Sequence, residues 1–112
     1  MDMNAALEEL LDAIREDYAT WTGQGRREIN DISRKMIAEF NESLSIQPGR
    51  KYIKIVKGGS VWGFIVADDS DKKFKKGDIL KAATWAAPAR NQARGNVLEG
   101  GYTIQWTGPL YL

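Results

Sequence analysis

The apolar periodicity of this chain changes once, and that change constrains its fold more than any other feature. Up to about residue 47 apolar residues recur every three or four positions, the period of an α-helix. After Arg50 they come as β-branched and aromatic runs broken by glycine, the pattern of short strands. The expected fold is therefore α+β: an N-terminal αα-hairpin followed by a small curved antiparallel β-sheet or barrel. Residues 1–47 would form the helical hairpin and serve packing or self-association. Residues 48–112 would form a small β-rich domain carrying the ligand surface.

Leu7, Leu10, Leu11, Ile14, Tyr18 and Trp21 fall on one stripe of a first helix over residues 5–21. Asp2 and Asn4 suit its N-cap, because a short side-chain oxygen can accept from the free N–H groups of the first turn. Thr22-Gly23-Gln24-Gly25 ends it. A second helix is expected from about Arg27 to Leu44, with Ile29, Ile32, Met36, Ile37, Phe40 and Leu44 as its stripe. A single bent helix is the alternative. Pro48-Gly49 then turns the chain.

Lys51–Lys57 and Ser60–Ala67 read as strands joined by Gly58-Gly59, a two-residue turn suited to a hairpin. Residues 68–77 form a charged loop, and Asp78–Trp85 reads as a third strand. Tyr102–Trp106 alternates cleanly, and Leu110-Tyr111-Leu112 adds a short edge. Trp62 and Trp106 are expected in the core, while Trp85 fits either core or surface.

The overall charge of +1 conceals an asymmetry. Residues 1–47 hold 5 Lys/Arg against 10 Asp/Glu, and residues 48–112 hold 11 against 5. The halves either attract each other, within or between subunits, or present two surfaces with different tasks.

Phe74–Leu112 reads FKKGDILKAATWAAPARNQARGNVLEGGYTIQWTGPLYL. The stretch resembles small bacteriophage proteins that share a G-D-I-L-K-A-A-x-W-x-A-P-A-x-N-x-A-R-G-N segment after a K-Y-I-K-I-V-like strand. Gly77–Trp85, Ala87–Ala89, Asn91 and Ala93–Asn96 carry the match, and the likeness covers roughly residues 50–112. It implies a phage accessory protein acting in the host cytoplasm. Proteins of that kind commonly neutralise a host macromolecule or immune signal.

The chain has no Cys and no His. Disulfides, thiolate nucleophiles, zinc fingers and His-based triads are therefore excluded. Asp68-Asp69-Ser70-Asp71 invites a metal reading, but counting from Asp69 puts Phe74 and Leu80 where a calcium loop needs Gly and Glu. The segment reads as a solvated turn. No phosphate-binding loop, paired carboxylates or Ser/Lys dyad stands out. The expectation is a protein without enzyme activity, cofactor or metal. The longest mostly apolar run, Val61–Ala67, is far short of the roughly 18 residues a membrane span needs, and no signal peptide is read at the start.

What remains is recognition. Residues 88–94 read as about two helical turns, which would set Arg90 and Arg94 four apart on one face. Two guanidinium forks side by side suit a phosphate or carboxylate. Trp85 would stack, with Lys81, Asn91, Asn96 and Lys54 assisting. The plainer reading is that the arginines pair with the acidic half or pin the loop on Trp85. The expected partner is a nucleotide or nucleic acid, with a homo-oligomeric state favoured by the helix stripes. The rival is a protein–protein inhibitor of a host factor, or a minor virion component, working through the helices.

Overall fold

The structure is a computed structural model that describes residues 2–22 and 31–109. Helix α1 spans Met3–Thr22. Its cap is Asp2, whose Oδ1 accepts the Ala5 N–H at 2.8 Å. Ala6, Leu7, Leu10, Leu11, Ile14 and Tyr18 are buried along one stripe, as their spacing requires. Helix α2 spans Asp31–Ser43 and packs on α1. The two meet where the Tyr18 and Phe40 rings stack, centroids 4.0 Å apart and 13° from parallel. The expected glycine loop, the start of α2 at Arg27 and the Leu110–Leu112 edge lie outside the described residues.

From Ser43 the chain enters strand β1, Leu44–Gln47, where a helix end and turn were expected. Leu44 fits both periods, being four past Phe40 on the helix stripe and in phase with Ile46 on a strand. Strand β2 is Tyr52–Lys57, β3 is Ser60–Val66 and β4 is Ile79–Leu80. They form one antiparallel sheet in the order β1-β2-β3-β4. The sheet is open, so the barrel alternative is not realised. A small hairpin of β5, Ile104–Gln105, and β6, Gly108–Pro109, stands beside it. The Trp62 indole N–H ties this hairpin to the sheet by donating to the Gln105 carbonyl at 2.8 Å. The expected strands 78–85 and 102–106 shrink to two residues each, Ile79–Leu80 and Ile104–Gln105, because much of their remaining bonding is to loops rather than to neighbouring strands.

The sheet has two covered faces. Helices α1 and α2 cover the first, where Leu10, Ile14 and Phe40 join Leu44, Ile53, Ile55, Trp62, Ile65 and Ile79 in one core. Phe64, Val66 and Leu80 lie on the second face and pack with Phe74, Tyr52, Val61, Ala82 and Ala93. A bulge makes this division possible. Ile55 faces Gly63 and Val56 faces Val61, which leaves Trp62 as the extra residue in β3. Trp62 and Ile65 thereby share the helix side, and Val61 and Phe64 share the other.

Candidate functional site

The second face is covered by residues 77–97. The two ends of this segment clasp each other. Asp78 bridges to Asn96, the Ile79 N–H donates to the Gly95 carbonyl, and the Val97 N–H donates to the Gly77 carbonyl. Gly77 and Gly95 have φ of +91° and +135°. A Cβ on Gly77 would sit 2.8 Å from Asn96 Oδ1, and one on Gly95 would sit 2.7 Å from Tyr102 Cβ. Both the conformation and the space demand glycine. The Asn96 amide donates to the Lys76 carbonyl and to Asp78 Oδ1, both at 2.9 Å. Its oxygen accepts the Leu98 and Glu99 N–H groups at 2.8 and 3.1 Å. Asn96 is thus a buried structural residue that closes the loop.

The outgoing and returning arms meet again where Ala82 bridges to Pro88. Beyond that point the tip turns, with Thr84 Oγ1 accepting the N–H groups of Ala86 and Ala87 at 3.2 and 3.0 Å. Trp85 stands on this tip and is 50% exposed. The Lys54 ammonium, on the second face of β2, lies 4.5 Å from the centroid of the Trp85 ring. A shallow groove of about 250 Å³ runs between the tip and the start of β3, lined by Ser60, Val61, Ala82, Ala83, Thr84 and Trp85.

The returning arm is extended, so the expected helix over 88–94 does not form. Its backbone donors go sideways instead of along a helix: Ala89 to the Lys81 carbonyl and Arg94 to the Ile79 carbonyl, both at 2.7 Å. The two arginines therefore do not present a double fork. Arg94 is 5% exposed and belongs to the interior. Arg90 grips Asp71 with both nitrogens, at 2.7 and 3.0 Å, and also donates to the Tyr52 hydroxyl. Asn91 is exposed on the same arm and accepts the Gln92 N–H. Leu80 and Ala82 turn toward the second face, so alternation puts half-buried Lys81 on the opposite side of its arm. Of the expected set, the structure brings Trp85 and Lys54 together.

Three residues had no local signal. Asp71 lies in the stretch read as a solvated turn, yet its side chain is 2% exposed. It accepts the Lys73 and Phe74 N–H groups as well as Arg90. The Arg90 guanidinium, followed by these backbone bonds, holds the Asp71 carboxyl well below the usual range. Asp71 in turn raises Arg90. Tyr52 and Phe74 complete the surroundings. Lys51 lies 5.7 Å over the Tyr52 ring, and Lys54 also lies 6.0 Å from the Phe64 ring. Tyr52 and Phe64 meet edge to face at 6.1 Å. Arg90 and Lys73 lie 5.1 and 5.4 Å from the Phe74 ring. Cations and rings thus form a continuous run of contacts from Trp85 to Lys73, broken in its alternation where Phe64 meets Tyr52 ring to ring.

Fold and surface together define a two-layer α+β protein, a helical hairpin on an open antiparallel sheet, with a clasped loop over the far side. The whole chain, residues 1–112, matches a family of unknown function, DUF7717, and the protein belongs to that family. No curated protein and no solved structure matches it. Among the described residues no helix is long and apolar enough to cross a membrane.

Proposed function

We propose that this is a non-catalytic binding protein that takes a phosphate-bearing aromatic ligand, a nucleotide or nucleic acid, on the second face of the sheet. The observation that carries the reading is Trp85. A large indole is held half in solvent by a loop whose ends and tip are fixed by hydrogen bonds, with a lysine at its ring. Exposed aromatics beside cations are how many proteins hold a base and its phosphate. Arg90 is engaged by Asp71, so the anion would meet Lys54 and the neighbouring lysines rather than an arginine pair. In the setting the phage resemblance implies, the protein would act in the host cytoplasm by sequestering such a ligand.

A thermal-shift screen with nucleotides, cyclic nucleotides and oligonucleotides tests this. A ligand that binds the folded chain raises its melting temperature in proportion to RT ln(1 + [L]/Kd). Trp85→Ala should diminish the shift while leaving the unliganded melting temperature nearly unchanged. A shift undiminished by Trp85→Ala would remove the site.

The rival reading is a protein partner held by the helical layer. It is favoured by Ile32, 73% exposed on α2, and Trp21, 48% exposed on α1. Pull-down of a host protein that is lost with Ile32→Asp, and no response to nucleotides, would favour it.

A further inference from the structure

We infer that the ligand of the second face is an unpaired nucleic-acid strand rather than a single nucleotide or a duplex. The inference rests on the site reading above and narrows it. Its basis is the run of contacts that leads away from Trp85. Lys54 touches Trp85 and Phe64, and Phe64 touches Tyr52. Lys51 and Arg90 flank Tyr52, and Arg90 and Lys73 flank Phe74. Phe64 and Phe74 are buried and act as the floor, whereas Trp85 and Tyr52 reach the surface.

Three physical points choose the ligand. First, single-nucleotide sites are concave and bury most of the ligand. Here the groove beside Trp85 is shallow, the ring stands on a loop tip, and the cations continue past it. Second, a duplex hides the faces of its bases, so exposed rings reward only unpaired bases. Third, the surface offers more than one ring–cation pair, Trp85 with Lys54 and Tyr52 with Lys51, as a polymer of bases and phosphates would use. Tyr52 and Lys54 share one face of β2, about 6.6 Å apart for alternate residues of a strand. A base on Trp85 and another near Tyr52 would leave the linking phosphates to Lys54 and Lys51. An ammonium occupies only one face of an indole, and half of Trp85 remains open to solvent.

Fluorescence anisotropy with labelled oligo-dT and oligo-U of roughly 4 to 16 nucleotides tests the inference. A hairpin duplex and the mononucleotides TMP and UMP serve as competitors. The expected result is affinity that rises with length to a plateau and exceeds that for duplex and mononucleotide. The two polymers separate a DNA from an RNA source. The log of the binding constant should fall with log salt by about 0.7 per phosphate contacted. Trp85→Ala should weaken oligonucleotide binding by about fivefold to a hundredfold. Lys54→Gln should reduce the salt slope by about 0.7. Circular dichroism and melting of both variants keep folding separate from binding.

Mononucleotide binding as tight as that of the longest oligonucleotide would overturn the strand inference and leave the site reading intact. Equal affinity for duplex would also overturn it. Absence of binding in every arm, or oligonucleotide affinity untouched by Trp85→Ala, would overturn both.

Discussion

The two faces of the sheet are covered by opposite means. On the helix side, side chains meet by apolar contact over a continuous core, and the covering elements are regular. On the loop side, the cover is irregular, and polar bonds and cation–ring contacts hold it in place. Apolar attraction is non-directional, so many arrangements of covering side chains can satisfy it. A clasp of buried hydrogen bonds does fix orientation, because each unmatched donor or acceptor is costly. The first face is therefore held chiefly by apolar packing, while on the second a smaller apolar cluster is joined by a polar clasp that fixes the loop carrying Trp85.

The contrast is sharpest in the cost of truncation. Leu10 is fully buried on the helix side, and Leu10→Ala should cost about 2–5 kcal/mol in urea denaturation. Trp85→Ala, a larger deletion, should cost about 0.5 kcal/mol or less, the range of surface changes. Comparable costs would mean that Trp85 is part of a core and that the two faces do not differ in kind.

Asn96 comes next. Its amide makes four hydrogen bonds while 6% exposed, so Asn96→Ala leaves Asp78 and three backbone groups short of partners. A loss of about 1–3 kcal/mol is expected. Amide exchange should quicken across residues 77–97 before it does in α1. Uniform quickening through the whole chain would show that loop and core unfold as one.

The sequence carried these two faces unequally. Helix α1, its Asp2 cap and the hairpin at Gly58-Gly59 follow from period and turn chemistry, which act over a few residues. Strand β1 was hidden because four residues abutting a helix, with Leu44 in phase with both periods, do not separate strand from helix. The loop was marked by its motif, yet its shape was not legible. Arg90 and Asp71 are nineteen positions apart, and Asp78 and Asn96 eighteen, so no local pattern links them. The glycines at 77 and 95 were visible as glycines, but only the close approach of Asn96 and Tyr102 explains them. Arg90 and Arg94 looked like a pair because helical spacing was assumed where the arm is extended.

Acid should separate the faces again. The Asp71 carboxyl titrates well below the usual carboxylate range because of Arg90 and the loop N–H groups. An unfolded aspartate titrates near about 3.9. A depressed folded value means that the contribution is complete above about pH 4 and is lost as pH falls toward the folded value. Asp71→Asn should therefore destabilise at neutral pH, and the gap to the parent chain should shrink on acidification. A gap that stays constant from about pH 7 to pH 2 would show that the Asp71–Arg90 charge pair contributes nothing.

The smallest effect on stability is expected at Lys54. Its contact with Trp85, at 4.5 Å on an open surface, is worth about 0.5 kcal/mol, the low end for exposed cation–ring pairs, and Lys54→Gln keeps most of the side chain's bulk. Denaturation of this variant should barely differ from that of the parent, while its binding of a phosphate-bearing ligand should weaken and lose part of its salt dependence. That combination separates a working cation from a structural one. The Asn96 clasp, not Lys54, then fixes the loop, and the ammonium is left to meet an anion. If Lys54→Gln instead destabilises as much as Asn96→Ala, the lysine is a strut that pins the tip to β2. Trp85 would then be exposed because the strut holds it there, and the second face would differ from the first only in the chemistry of its packing.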